Sequence, residues 1–542
     1  MPVFFNLRII ILFWFILCLN ALVFLPGFSE YDTQKYLSIA HQMIDQHQYL
    51  IAHWENKVYS DKPPLLFWLI ILGWRCVGYL NQWPQALVLI LGSTSTFISY
   101  RLAQQFWPNT HSAKIAALLT ACCFHWFWCV KAIRVDSLLC LAVLLACLCV
   151  YHSLFAVTLK TKIMSWMGYS LAMALGAFAK GPVILIFVLV PACFMPYCFS
   201  CPARRNLTYW YGLLTLTTLL GFALILAWAI PAMVLGGDQF AREIAFQQIT
   251  HRATLNQEAF YYYLARLPIY LLPWSLYPPV YLALYRAFQN SIKNPRENRP
   301  LLWCLMFAFT SLGILSLFGQ KLPHYIFPSL AIVLLILANS LNQLGLNSLH
   351  SRKNLWLLGI FILGVSLFCL GFNWIEAHLS LENRTRGFFL HELHLSAWGL
   401  VFLILSLFLF IAPIRTLAHQ LVVIGLAQLV LSLFVFSTVL YRYEQHLSIQ
   451  PIIKYLNTYP NSPLALTQNS QITQPELIRW LEQSHRKLEH PEHFDRWKLD
   501  HPQGIGLSSS LTDLTNHPIT FWMFQERYRL LALIPALSAH DQ

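Results

Sequence analysis

The chain has 542 residues, 57% of them hydrophobic and only 11% charged, with a mean hydropathy of +0.54. A water-facing surface needs roughly 25% charged residues, so a soluble enzyme, a disordered scaffold and a disulfide-stapled secreted module are excluded. The net charge of +13 is scattered between apolar runs rather than gathered on one face, which argues against a nucleic-acid partner.

In chain order, the apolar runs predict thirteen membrane spans: near residues 8–26, 85–107, 114–134, 137–157, 163–180, 181–199, 208–235, 268–288, 300–319, 323–343, 355–374, 395–413 and 420–441. The first run lacks a small-residue cleavage site and is longer than the apolar part of a signal peptide, so it reads as an uncleaved span. The run 63–80 opens on Pro63-Pro64 and carries Arg75, which favours a helix lying at the membrane interface. Charge supports leaving it out. With the N-terminus in the cytoplasm, fourteen basic residues and one acid, Glu297, then fall on the cytoplasmic side. Thirteen basic and twelve acidic residues fall on the other side as far as residue 441. This is the positive-inside pattern. Beyond Tyr441 the composition turns polar. Residues 442–542 read as a small soluble α/β domain on the outer face, after a membrane domain of residues 1–441.

The thirteen cysteines carry little chemistry. Cys122, Cys123, Cys140, Cys147 and Cys149 lie inside apolar runs, where a thiol acts as a small hydrophobe. Cys198 and Cys201 have C-x-x-C spacing, but no second pair completes a zinc site. The segment H-E-L-H at 391–394 is one residue short of the zinc-protease pattern.

This topology brings four polar regions to one face: the first outer loop 27–84, the turn Arg134 to Asp136, the loop 236–267 and the turn Gln320 to Tyr325. Charges near bilayer depth are costly and usually face a cavity. Asp32 directly follows the first span, and Asp61 and Lys62 precede the interfacial helix. A carboxylate there can act as a base or bind a cation, and a lysine can hold a phosphate; each also fits an ordinary charge at the headgroup boundary. Within K-A-I-R-V-D, Lys131 and Arg134 either reach headgroups with Asp136 paired to one of them or line a cavity. Lys180 sits in a Gly-Pro break between two short spans. His251 and Arg252 share the large outer loop, where an arginine can grip phosphate as a fork. Lys321, His324 and Tyr325 open a span, which a purely structural turn would not need.

Taken together these motifs resemble the polyprenyl-phosphate-sugar-dependent membrane glycosyltransferases of the GT-C class. The resemblance is to the bacterial branch of the lipid A aminoarabinose transferases, with protein O-mannosyltransferases more distant, and it runs over most of residues 8–345. Asp32-Thr33-Gln34-Lys35-Tyr36 matches the family's D-E-x-R-Y. Asp61-Lys62-Pro63-Pro64 matches E-K-P-P, Arg134 with Asp136 matches R-x-D, and Lys180-Gly181-Pro182 matches K-G-P. Pro273-Trp274-Ser275 matches P-W-S, and Lys321-Leu322-Pro323-His324-Tyr325 matches K-L-P-x-Y. Each is weak alone; six in the family's order are strong.

The resemblance implies a GT-C fold of about thirteen transmembrane helices with outer-face juxtamembrane helices, in a bacterial inner membrane with the C-terminal domain periplasmic. It implies Asp32 as the catalytic aspartate, with Lys62, Arg252, Lys321 and Tyr325 on the donor phosphate. Asp61, Arg134, Asp136, Lys180 and His324 would line the cavity. The implied partners are a polyprenyl-phosphate sugar, membrane lipid, and lipid A, another glycolipid or a protein as acceptor. The chain departs from the family at Thr33, where the second acid stands, and at Asp61 in place of Glu. The family's metal-binding histidine has no clean match, because Gln247 and Gln248 lie nearer its place than His251. A divalent metal on His251 and Asp61 is therefore left open, and no other cofactor is required. A transporter is the rival from another class, but the Gly/Pro breaks gather on one face and no matching halves occur.

Overall fold

The apolar runs fold as helices, seen in a computed structural model that describes residues 6–24, 31–54, 57–78, 82–199, 201–242, 258–378 and 395–441, and short pieces of 442–542. Among the described residues, nine helical stretches are long and apolar enough to cross a membrane, or ten with one bent pair. The protein is a multi-pass membrane protein.

After α1 (Leu7–Phe24) comes α2 (Tyr31–Asp45) and a short hairpin, β1 (Ala52–Trp54) paired antiparallel with β2 (Lys57–Tyr59). The run expected at the interface forms α3 (Leu65–Val77). Its thirteen residues reach about 20 Å, short of the roughly 30 Å hydrocarbon core. Next come α4 (Gln82–Phe106), α5 (Ser112–Ala121), α6 (Phe124–Lys131), α7 (Asp136–Phe155), α8 (Leu159–Lys180), α9 (Ile184–Cys198) and α10 (Leu207–Arg242). They are followed by α11 (Tyr262–Tyr270), α12 (Pro279–Lys293), α13 (Arg299–Leu317), α14 (Phe327–Leu344), α15 (Trp356–His378), α16 (Leu395–Ile411) and α17 (Leu417–Phe434).

Four of the expected spans differ from plain, separate helices. The window 114–134 is a bent pair, α5 and α6, meeting at 62°. The Phe124 N–H leaves the helical ladder and donates to the Leu272 carbonyl at 3.1 Å. The window 268–288 is broken into α11, a turn and α12, because Pro273, Pro278 and Pro279 remove backbone donors and crowd the preceding turn. Windows 163–180 and 181–199 form one stretch of 40 residues by length, but it folds back on itself. Phe199 packs at 5.2 Å from Tyr151, near the end of α7 from which α8 sets out. Gly181 makes the reversal at φ 65°, a left-handed conformation that favours glycine.

Burial sorts the helices into an inner and an outer set. The stretch holding α14 is 89% buried and that holding α7 is 67% buried, whereas that of α10 is 22% buried. A helix apolar all round belongs in the centre of the bundle, and α14 fits this from Phe327 to Leu341 without an exposed side chain. Within 442–542 the described strands form a five-stranded mixed sheet in the order β4-β3-β5-β7-β6, where β3 is Leu464–Leu466, β4 Leu488–Glu489, β5 Ile505–Ser508, β6 Phe521–Met523 and β7 Leu531–Ile534. β3 pairs parallel with β4 and β5, and β7 pairs antiparallel with β5 and β6.

Candidate active site

Four chain segments meet at one end of the bundle, each at the terminus of a helix. Asp32 lies in the first turn of α2, where a carboxylate favours the helix dipole. Arg134 occupies the tight turn between α6 and α7, its N–H donating to the Ala132 carbonyl at 2.8 Å. Asp136 opens α7 and Lys180 closes α8. His324 and Tyr325 lie on the 3-10 turn Pro323–Ile326 that leads into α14.

These residues form a connected polar network. Arg134 Nε stands 3.5 Å from Asp32 Oδ2, and Arg134 Nη1 donates to His324 Nδ1 at 3.2 Å. A guanidinium can only donate, so Nδ1 accepts, and the ring proton of neutral His324 is on Nε2. Nε2 faces Asp136 Oδ2 at 3.8 Å. The other carboxylate oxygen of Asp136 takes a hydrogen bond of 2.6 Å from Lys180 Nζ. That ammonium also sits 4.1 Å above the centre of the Tyr325 ring. Two carboxylates thus balance two cations, with a histidine bridging the halves. Asp136 and Lys180 are both buried, where an unpaired charge would be prohibitive.

A second cluster borders the first. Lys35, one helical turn after Asp32, lies 3.8 Å from Asp61 Oδ2. Its ammonium is 4.6 Å from the centre of the Trp54 ring and 4.5 Å from that of Tyr59; β1 supplies the first ring and β2 the second. Lys62 Nζ donates to the backbone carbonyl of Asp61 at 3.2 Å. Between the clusters Tyr36 is buried on α2. Burial and the neighbouring Tyr59, Asp32 and Asp136 push its phenol well above the usual tyrosine range, so it stays a neutral hydroxyl.

Lys321 is buried and plays a different part. Its ammonium donates to the Glu258 carbonyl at 2.8 Å and the Phe318 carbonyl at 2.6 Å, tying the approach to α11 onto the end of α13. His125 of α6 buttresses the same turn: its Nε2 lies 3.1 Å from the Pro323 carbonyl, and its ring stacks at 4.3 Å on Tyr270.

Of the residues singled out in the sequence, Asp32, Arg134, Asp136, Lys180, His324 and Tyr325 come together in one network, and Asp61 and Lys62 stand beside it with Lys35. Lys321 shares the K-L-P-H-Y turn with His324, but its ammonium donates to the backbone carbonyls of Glu258 and Phe318. Arg252, His251, Gln247 and Gln248 lie outside the described residues. Among the described residues no three His, Cys, Asp or Glu side chains stand together as a metal site. Thr33 is fully buried, and its hydroxyl has no hydrogen-bond partner among the described residues; the position where the family carries a second acid contributes no charge here. Sequence reasoning gave no role to the Trp54–Lys35–Tyr59 sandwich, to Tyr36 or to His125. Lys35 and Tyr36 stood inside a quoted motif, whereas nothing local marks Trp54, Tyr59 or His125.

No family model matches the chain. Undecaprenyl phosphate-alpha-4-amino-4-deoxy-L-arabinose arabinosyl transferase of Pseudomonas aeruginosa is 25% identical over 62% of this chain and 60% of its own length. A transferase of the same name from Proteus mirabilis is 25% identical over 57% of this chain and 54% of its own length. The match to these relatives therefore spans about 60% of their length or less. The solved structure of ArnT from Cupriavidus metallidurans bound to undecaprenyl phosphate superposes with a TM-score of 0.69 at 16% identity, over 98% of both chains. The fold is that of ArnT, as the six motifs led one to expect, and the resemblance to the aminoarabinose transferases is borne out.

Proposed function

We propose that the protein is an inverting membrane glycosyltransferase that moves a sugar from a polyprenyl-phosphate donor to lipid A or another envelope glycolipid. The observation that carries the reading is the ion-paired Asp32 at the head of the network, on a chain similar to undecaprenyl-phosphate-dependent aminoarabinose transferases. Those relatives make 4-amino-4-deoxy-L-arabinose the first sugar to test.

In the reaction, an acceptor oxygen attacks the anomeric carbon from the face opposite the donor phosphate. The new C–O bond forms as the bond to phosphate breaks, and the polyprenyl phosphate leaves with the electron pair. A hydroxyl acceptor must surrender a proton, which Asp32 would take. A phosphate acceptor is already ionised at neutral pH, and Asp32 would then orient it. Arg134 holds Asp32 in place, and the buried Asp136–Lys180 pair fixes the floor behind it. Lys62 stands on the rim, where a cation stabilises the charge growing on the leaving phosphate; Arg252, and Tyr325 at its ring edge, complete the expected donor pocket. A divalent metal on His251 and Asp61 stays a proposal and enters no step here.

The topology belongs to the same reading. Counting α8 and α9 as two crossings, and α5 with α6, α12 and α16 as one each, gives thirteen. The charge bias sets the N-terminus in the cytoplasm, and the site and residues 442–542 in the periplasm of a bacterial inner membrane.

The test is mass spectrometry of lipid A and of the polyprenyl-phosphate sugars in cells carrying the wild type, Asp32→Ala or Lys62→Ala. Loss of a sugar from one glycolipid with accumulation of its lipid-linked donor is the expected result. Unchanged pools in both variants would remove the lipid A acceptor and turn the assay to glycosylated proteins.

A further inference from the structure

At the other end of α8 from Lys180, a groove of about 370 Å³ opens between α8 and α10. The two helices run side by side in the same direction: the Trp166 and Trp210 rings meet at 5.6 Å near the helix starts, and later residues of α8 meet later residues of α10. They are pinned further along. The Tyr169 hydroxyl bonds Thr218 at 2.9 Å, and a Cβ on Gly221 would lie 2.7 Å from the Ser170 carbonyl. Beside these contacts Leu159, Ile163, Met167, Leu213 and Leu220 line an apolar furrow. Leu159, Met167 and Leu171 remain 72%, 59% and 60% exposed along it.

Charge at the mouth of the furrow is one-sided. Lys162 lines it, Lys160 precedes it, and Arg204 and Arg205 stand exposed on the turn that feeds α10. Arg299 opens α13, which is tied to α9 by the Trp303 indole donating to the Pro191 carbonyl at 2.9 Å. From Ser137 to Gly237 the chain has no aspartate or glutamate; the nearest acid in sequence to Arg299 is Glu297. A basic pocket between transmembrane helices beside an apolar furrow suits a lipid with an anionic headgroup.

We propose that this groove is a binding site for an anionic glycerophospholipid of the leaflet at that end. One acyl chain lies between Ile163, Met167, Leu171, Leu213 and Leu220, and the phosphate rests against Lys160, Lys162, Arg204 and Arg205. A polyprenyl-phosphate donor in this groove could not serve the candidate active site, because the 22 residues of α8 separate the two by about 33 Å. The site is therefore distinct from the proposed reaction, and its failure would leave that reaction untouched.

The test is native mass spectrometry of the full chain in detergent, titrated with phosphatidylglycerol and with phosphatidylcholine of the same acyl chains. The wild type should retain phosphatidylglycerol in preference. The variant Lys160→Gln/Lys162→Gln/Arg204→Gln/Arg205→Gln should lose that preference, by about fivefold for each charge that touches the headgroup. The control Arg286→Gln/Lys293→Gln/Arg352→Gln/Lys353→Gln removes the same charge elsewhere and should keep the preference. Leu171→Trp fills the groove and should lower the bound count of either lipid by one. Equal retention of the two lipids by the wild type, an equal loss in both quadruple variants, or an unchanged count in Leu171→Trp would each overturn the proposal.

Discussion

Two ion pairs within the same site show what burial does to identical chemistry. Asp136 and Lys180 meet at 2.6 Å with 6% of each side chain exposed, whereas Lys35 and Asp61 stand 3.8 Å apart with 12% and 56% exposed. In the first pair each charge compensates the other in a place water does not reach, so neither can be removed alone. In the second, water already solvates Asp61, and Lys35 is steadied by the Trp54 and Tyr59 rings as much as by its partner. The inner pair is a fixed floor, and the outer pair is an adjustable rim.

The largest effect should come from breaking the floor. Asp136→Ala strands the Lys180 ammonium and should cost about 3–5 kcal/mol, read as a fall in the unfolding midpoint of the detergent-solubilised protein. The double variant Asp136→Asn/Lys180→Met removes both charges and should recover most of that loss. Equal instability in the single and double variants would show that the pair is not coupled. Asp32→Asn is the sharper complement, because that residue is a third exposed and tied to Arg134 at longer range. It should lower sugar transfer in reconstituted vesicles by about 10²–10⁴-fold while leaving the midpoint where it was.

The sequence made the floor legible and the rim only half so. Asp136 and Lys180 stood out because a charge flanked by apolar runs has to find a partner, and charge bias along the chain put them on one face. Which charge would partner which was not readable: Asp136 takes its 2.6 Å hydrogen bond from Lys180, 44 residues away, and Arg134 pairs with Asp32. The aromatic clamp on Lys35 depends on a hairpin whose two strands have three residues each, too short to leave a periodic signal. The breaks in the spans followed a similar rule. The prolines that interrupt 268–288 stand in the sequence, yet hydropathy alone reads that window as one span, and the bend between α5 and α6 is stabilised by a hydrogen bond to distant Leu272, which no local pattern encodes.

Lys321 tests whether a buried lysine held by backbone carbonyls behaves as floor or as rim. Its ammonium serves the Glu258 and Phe318 carbonyls, and leaving such groups unmade costs about 1–3 kcal/mol. Lys321→Met should therefore lower the unfolding midpoint by less than Asp136→Ala does. A midpoint unchanged from the wild type, together with a weakened affinity for polyprenyl phosphate, would instead assign the ammonium to the donor.

The smallest effect is expected at Asp61. An exposed ion pair contributes between zero and about 1 kcal/mol, so Asp61→Asn should shift the midpoint by no more than that, and raising the salt concentration should erase the difference. Lys35 keeps its two rings in this variant, so its position should hold. Removing the rings in Trp54→Ala/Tyr59→Ala should displace it more than removing the carboxylate does, read as the reactivity of Lys35 towards an amine-labelling reagent. If Asp61→Asn raised that reactivity further than the ring variant, the carboxylate rather than the aromatic clamp would be the element that positions Lys35, and the rim would resemble the floor after all.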